Sequence, residues 1–134
     1  MKTSARLFSV ATMLLMVSLF GKVSTAQMAG TYHIGADAGN EFTTFQEAVD
    51  SLESQGVSGP VTILADAGTY NEQVEMASIA GASETNTITF QSSTGDSTDV
   101  VLTYESAYYD TNYVVLLAQH ASYIAFKHLT IHPT

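Results

Sequence analysis

Four tyrosines interleaved with two carboxylates are the densest group of chemically useful side chains in the sequence. The group comprises Tyr104, Glu105, Tyr108, Tyr109, Asp110 and Tyr113. Aromatic faces stack on sugar rings and carboxylates accept hydroxyl protons, so the pattern is compatible with carbohydrate contact. Tyrosine is also common on half-buried strands, and we prefer this plainer interpretation. A glycosidase pair would need a carboxylate separation that sequence alone does not give.

Oxygen ligands suited to a hard cation lie in a glycine-rich loop near the start of the chain. These are Asp37, Asn40 and Glu41, and a second acidic loop contains Asp96 and Asp99. Calcium binds carboxylate and amide oxygens, so a weak calcium site is the only cofactor site that the sequence suggests. No calcium-loop spacing is complete, and solvated turn acids are the interpretation that we prefer.

Other motifs of known chemistry are incomplete. The loop 35–39 lacks both the dinucleotide-binding and the P-loop pattern, and its Asp37 would repel a phosphate. His128 and His132 are four residues apart, but their neighbours are typical of a strand, which would separate the rings by about 13 Å. We therefore predict that all four histidines are structural or surface groups. The chain has no cysteine and no G-x-S-x-G elbow, and we predict no catalytic residue within it.

The N-terminal segment has the three parts of a secretory signal peptide. Lys2 and Arg6 precede the apolar run 7–20, and small residues lead to Ala26. The run is shorter than the roughly 20 residues that cross a bilayer. We expect cleavage near Ala26, with 1–26 as signal peptide, a secreted or cell-surface product, and no membrane association afterwards.

Charge excludes one class of partner. Beyond residue 26 only Lys127 remains against 13 acidic residues, and no arginine is left. Because affinity for phosphate backbones comes largely from lysine and arginine, we expect no nucleic-acid binding. Without disulfides, stability must come from packing.

One amphipathic helix is predicted after the glycine-rich loop. Its apolar residues fall at i, i+3, i+4 and i+7, namely Phe45, Ala48, Val49 and Leu52. Thr44 and Glu47 have the spacing of a capping box at its start, and Gly56 suits its end.

Short strands are predicted before and after this helix. The predicted ranges are 31–34, 61–64, 73–76, 87–91, 100–104, 113–117 and 123–131, the last bent at Lys127 and His128. Polar segments such as Gly68-Thr-Tyr-Asn71 are read as turns between them. The spacing predicts a solenoid with two strands per repeat; the alternative is a sandwich of antiparallel strands. The absence of Asn-Gly and Asp-Gly pairs and the position of the helix ahead of the strands favour the solenoid.

Two segments carry a family resemblance. The segment 35–49 resembles the opening of pectinesterases and other pectin-lyase-fold proteins, where a Gly-Asp-Phe-x-Thr-Ile-Gln-Glu-Ala-Val pattern forms an N-terminal cap helix. The segment 67–74 resembles their Pro-Gly-x-Tyr-x-Glu-x-Val turn, with Gly68, Tyr70 and Glu72 at the matching positions. The phrases at 59–62, 86–90 and 123–130 are most similar to the N-terminal parts of long secreted bacterial β-helix proteins.

The resemblance implies an all-β chain, a right-handed parallel β-helix with a short capping helix. It divides the chain into 27–59, a strand and cap, and 60–134, the first coils of a truncated β-helix. Pectinesterase catalytic residues lie on later coils, so none is carried over. Three functions follow: a non-catalytic carbohydrate or matrix module, an N-terminal fragment of a pectinesterase-like or polysaccharide-lyase-like enzyme, or a structural segment of an adhesin. No polar capping element follows the last predicted strand, so the expected partners are a polysaccharide, the missing C-terminal coils of a longer protein, or another chain that covers the last coil.

Overall fold

The computed structural model describes residues 26–105 and 113–134, and this part of the chain is mostly strand. Its single helix is α1 (Phe45–Gln55). The strands are β1 (Met28–Ile34), β2 (Val57–Ala65), β3 (Gly68–Asn71), β4 (Val74–Met76), β5 (Ile88–Ser92), β6 (Val100–Tyr104), β7 (Val115–Leu117), β8 (Ile124–Lys127) and β9 (Thr130–Pro133). The prediction of an all-β chain is confirmed.

The described strands form three sheets, and every pairing between these strands is parallel. The first has the order β1-β2-β5-β8, the second β3-β6-β9 and the third β4-β7. The chain visits the sheets in a fixed order, and we call β2–β4 the first pass, β5–β7 the second and β8–β9 the third. Val61 pairs with Ile88 and Ile88 with Ile124, so successive passes are in register. The antiparallel alternative is therefore wrong for the described strands.

Two local predictions need correction. The segment read as a turn, Gly68–Asn71, is strand β3, because pairing with β6 supplies its backbone with a parallel ladder. Two full passes therefore contain three strands each, where two per repeat were predicted. The predicted strand 123–131 is divided into β8 and β9, since His128 between them has a φ of 50°.

The core lies between the sheets and is built from alternate strand residues. From Val61 to Ala65 in β2, and throughout β5, the buried positions recur at every second residue, as expected when one face of a strand points inward. Phe90 is fully buried between two other rings: its centroid lies 6.0 Å from that of Phe45 and 5.3 Å from that of Phe126. This aromatic stack connects α1 to the third pass.

The four residues whose spacing predicts α1 all have fully buried side chains. The helix ends at Gly56, which has a φ of 71° and donates its N–H to Leu52 O at 2.8 Å. Positive φ favours glycine, since other residues meet their own backbone there. The chain can thus turn sharply from α1 into β2.

Within the described ranges, no helix has the length and apolarity that would be needed to cross a membrane. The predicted signal peptide lies outside these ranges except for Ala26.

Candidate functional site

Helix α1 covers one edge of β4 with its side chains. The amide of Glu75 donates to Gln46 Oε1 at 2.8 Å, and the amide of Ala77 donates to Glu53 Oε1 at 2.7 Å. Gln46 Nε2 also donates to the Glu75 carbonyl at 3.3 Å. The other edge of β4 pairs with β7. Side chains of α1 therefore take the place of a neighbouring strand. Without them, this edge of β4 would be open to association.

Glu72 caps α1 from the first pass. Its two carboxylate oxygens accept from the amides of Phe45 at 2.9 Å and Gln46 at 3.0 Å. These N–H groups have no partner within the helix, and the partial positive charge of a helix N-terminus favours a carboxylate there. Glu72 thus fixes the start of the helix to the strand region that the helix covers.

The predicted capping residues lie at the same helix terminus. Thr44 Oγ1 accepts from the Glu47 amide at 3.1 Å. The Glu47 carboxylate accepts from the amide of Thr43 at 2.8 Å and from its hydroxyl at 2.9 Å. These hydrogen bonds, the Thr43 amide foremost, lower the pKa of Glu47 below its ordinary value.

Tyr70 of β3 contacts both the buried Phe45 and the backbone of Asp66, which precedes β3. Its ring lies edge-on to Phe45 with centroids 5.0 Å apart, and its hydroxyl donates to the Asp66 carbonyl at 2.9 Å. Burial raises the pKa of Tyr70, and the carboxylates of Asp66 and Glu72 raise it further. The neighbouring Gly68 donates its amide to the Asp99 carbonyl at 2.8 Å. Gly68, Tyr70 and Glu72 all bind backbone groups of other segments.

A shallow cleft of about 240 Å³ lies beside the covered edge of β4. It is lined by Gln46, Glu53, Glu75, Met76, Ala77, Leu116 and Ala118. The hydroxyl of Tyr113 donates to the Glu75 carboxylate, and this hydrogen bond is the main cause that raises the pKa of Tyr113. The cleft offers carboxylate oxygens and apolar surface to a ligand that donates hydroxyl groups.

The predicted tyrosine group is only partly described. Tyr104 is half-buried at the end of β6 and packs against the core, whereas Tyr113 meets Glu75 at the cleft. Tyr108 and Tyr109 lie outside the described residues. Carbohydrate contact through this group stays a prediction.

The residues of the predicted calcium loop bind protein groups. Asn40 Nδ2 donates to Asp66 Oδ2 at 2.8 Å, and Glu41 Oε2 accepts from the His33 amide at 2.8 Å. Asp37 accepts from the Asn40 amide through its carbonyl, at 3.0 Å. Among the described residues, no group of three or more His, Cys, Asp or Glu side chains is arranged to hold a metal. Calcium binding by Asp37, Asn40 and Glu41 stays a prediction.

The second acidic loop is organised by short-range hydrogen bonds. Asp96 Oδ1 accepts from both the amide and the hydroxyl of Thr98 at 2.8 Å, and Asp99 Oδ2 accepts from Thr94 Oγ1 at 2.6 Å. The bonds to Thr98, the amide first, lower the pKa of Asp96. This is the geometry of an Asx turn, in which the side chain bonds the backbone two residues on.

The four histidines lie on separate parts of the fold. His33 is in β1, His120 and His128 are in loops, and His132 is in β9. His128 and His132 thus do not share one strand, contrary to the sequence prediction.

No protein-family model, curated protein or solved structure matches this chain.

Sequence reasoning overlooked Gln46 and Glu53 as edge-binding residues. Together with Asp50 they recur at i, i+4 and i+7, which places them in one stripe along α1. Gln46 Nε2 donates to Asp50 Oδ1 at 2.8 Å within this stripe. This polar stripe could have indicated a binding face on α1 from the sequence. Its partner, the edge of β4, is apparent only from the three-dimensional structure.

Proposed function

We propose that the chain is an exported, non-catalytic module with a right-handed parallel β-helix, closed at one end by α1. The observation that carries the proposal is the saturation of the β4 edge by Gln46 and Glu53. A helix that replaces a strand at the edge acts as a terminal cap, as stacked-repeat folds require. The in-register passes support the stacked architecture.

The contacts of the acidic side chains support a scaffold. Glu72 binds two helix amides, Glu53 binds the amide of Ala77, and Glu47 binds Thr43. A general base must instead reach a proton of the substrate. The carboxylates of Glu72 and Glu53 therefore hold α1 against the first pass, and that of Glu47 stabilises the start of the helix.

Carbohydrate is the ligand that we propose for the cleft beside β4. Glu75 and Glu53 present carboxylate oxygens, while Leu116 presents apolar surface with 42% of its area exposed. Sugar hydroxyls would donate to the carboxylates and the ring face would contact the leucine. An uncharged polysaccharide fits better than a uronate polymer, because like charges repel in this acidic cleft.

Binding to immobilised neutral polysaccharides, with the purified full chain as the cell processes it, tests this ligand. We expect saturable binding that weakens about tenfold in the variant Glu75→Gln, since one charged acceptor is lost. Glu84→Gln is the matched control, because Glu84 is exposed and this substitution removes the same charge at a position away from the cleft. Equal binding by both variants, or none by the unmodified chain, would exclude the cleft. Pectate binding that requires calcium and ceases on chelation would instead favour the pectinesterase-like alternative.

Export is tested separately by the mass of the product in culture fractions. Cleavage near Ala26 supports secretion, and an uncleaved chain retained in the cell contradicts it.

A further inference from the structure

The first sheet carries a row of threonines on its outer face. Thr31 of β1 pairs with Thr62 of β2, and Thr62 pairs with Thr89 of β5, so the three side chains share one register position. The next residues along β2 and β5, Ile63 and Phe90, are fully buried. Because successive side chains of a strand point to opposite faces, the threonines point away from the core. We call Thr31, Thr62 and Thr89 the threonine column.

The hydroxyls of the threonine column are free of protein partners. Several threonines in other segments use their hydroxyls within the fold: those of Thr43, Thr94, Thr98 and Thr130 donate to carboxylate or carbonyl oxygens at 2.6 to 2.9 Å. Among the described residues, no hydrogen bond joins a hydroxyl of the threonine column to another protein group. Each of these hydroxyls therefore remains able to donate and to accept a hydrogen bond.

A second column lies beside the first on the same face. His33, Leu64 and Gln91 are in register with one another, two residues further along their strands than the threonine column. Neighbouring strands are about 4.8 Å apart and two residues of a strand span about 6.7 Å, so the six side chains form a regular grid. In this second column an apolar side chain lies between an imidazole and an amide.

The grid contains no carboxylate, lysine or arginine. The four strands of the first sheet hold none of the 13 acidic residues of the sequence, and their single lysine, Lys127 of β8, is next in register to Gln91. An ionic ligand would lose hydration on β1, β2 and β5 without meeting an opposite charge there. The face therefore suits a ligand that is polar and uncharged.

We propose that the two columns bind an extended, uncharged polysaccharide that crosses β1, β2 and β5. Sugar hydroxyls donate and accept as the threonine hydroxyls do, and the threonine methyls and Leu64 contact the C–H faces of the rings. The equal spacing of the columns favours a ligand with a repeating structure. Branching at Cβ restricts the threonine rotamers, so little side-chain freedom is lost on binding. This face is a second site, because the cleft proposed above lies beside β4 of the third sheet.

Among the described strands, the second sheet offers no equivalent column. Thr69 of β3 pairs with Val101 of β6, which has no hydroxyl, and Val101 pairs with Thr130. The Thr130 hydroxyl donates to the Ser97 carbonyl at 2.7 Å. Thr103 of β6 has no partner for its hydroxyl, but the residue is only 6% exposed. Thr69 and Thr103 are therefore matched control positions for the threonine column.

Binding of the full chain, as the cell processes it, to insoluble cellulose, chitin and mannan tests this face. Depletion from the supernatant gives the affinity. The double variant Thr62→Val and Thr89→Val removes two hydroxyls and keeps side-chain shape and strand preference. We expect its affinity for the polysaccharide that the unmodified chain binds to fall about tenfold. The double variant Thr69→Val and Thr103→Val loses the same groups from the second sheet and should bind as the unmodified chain does.

Gln91→Leu is a second probe, which keeps the test valid even where the first valine pair does not fold; it should weaken binding several-fold. Equal affinities of the two valine pairs overturn the proposal, as does the absence of binding to every uncharged polysaccharide. Tighter binding to pectate, an anionic polymer, also overturns it.

The variant Glu75→Gln separates this face from the cleft. Binding that weakens in Glu75→Gln but not in Thr62→Val with Thr89→Val supports the cleft and overturns the second site. The reverse result supports the second site and excludes the cleft. Losses in both variants show that the polysaccharide contacts both places.

Discussion

Replacement of Glu72 by alanine tests whether the first pass holds α1 in place. The carboxylate accepts two backbone amides, from Phe45 and Gln46, at the helix N-terminus. The side chain of Phe45 is fully buried and contacts both Tyr70 and Phe90. Loss of the carboxylate therefore loosens the helix terminus where the core begins.

The expected cost follows from the two hydrogen bonds. A hydrogen bond to a charged group contributes about 1.5 to 3 kcal/mol, and both of these lie in a half-buried environment. Water can reach part of the terminus and replace some of this energy. We therefore expect Glu72→Ala to reduce the free energy of unfolding by about 2 to 4 kcal/mol. Glu72→Gln keeps one acceptor and loses the charge, so it should cost about half as much.

Urea unfolding followed by far-UV circular dichroism measures these changes. The midpoint should fall for Glu72→Ala without a change in slope, because slope reports the surface exposed on unfolding. Glu84→Ala is the control, since Glu84 is exposed and carries the same charge. It should stay within about 0.5 kcal/mol of the unmodified chain.

If Glu72→Ala and Glu84→Ala lower the free energy of unfolding equally, the role of Glu72 in holding α1 is refuted. Such a result would mean that α1 is held by its apolar face alone and that the Glu72 bonds are exchanged for water at no cost. A loss in Glu72→Gln as large as that in Glu72→Ala would show that the charge, and not the number of acceptors, determines the stability.

Four further perturbations follow from the structure. Gly81→Ala should destabilise the fold severely, because its Cβ would lie 2.0 Å from Val57 O, whereas Gly39→Ala, with open space, should be near neutral in thermal melts. Phe90→Ala should cost about 3 to 5 kcal/mol in urea unfolding, since it leaves a cavity in the aromatic stack. Because the pKa of Glu47 is lowered by folding, its ionised carboxylate stabilises the fold fully at pH values above the ordinary pKa of 4.5, and this stabilisation is lost as the pH falls through the folded-state pKa. The free energy of unfolding should therefore fall less steeply with decreasing pH in Glu47→Gln. Combined Gln46→Ala and Glu53→Ala should free the β4 edge and cause concentration-dependent association in light scattering, which Asp50→Ala should not.

The helix was predictable because its information is local. Phe45, Ala48, Val49 and Leu52 have a helical period, and Gly56 ends the helix with a positive φ. Alternating apolar residues likewise predicted strands near β2, β5 and β6. These signals depend only on residues that are neighbours along the chain.

Strand β3 was not predictable in this way. Gly68 and Asn71 favour turns, and the extended conformation of this segment depends on pairing with β6, about thirty residues later in the sequence. The same limit applies to Glu72, whose identity suggested a family motif but not its bonds to Phe45 and Gln46. Tertiary placement, and not local preference, determines these contacts.

The helix meets two needs of the adjoining strand region at once. Side chains of Gln46 and Glu53 bind the amides of Glu75 and Ala77, and the apolar face of α1 is buried in the core. Because side chains already satisfy these amides, a further strand finds no free donor at this edge of β4. Loss of the two side chains should therefore open this edge to association, even though the apolar face of α1 is unchanged.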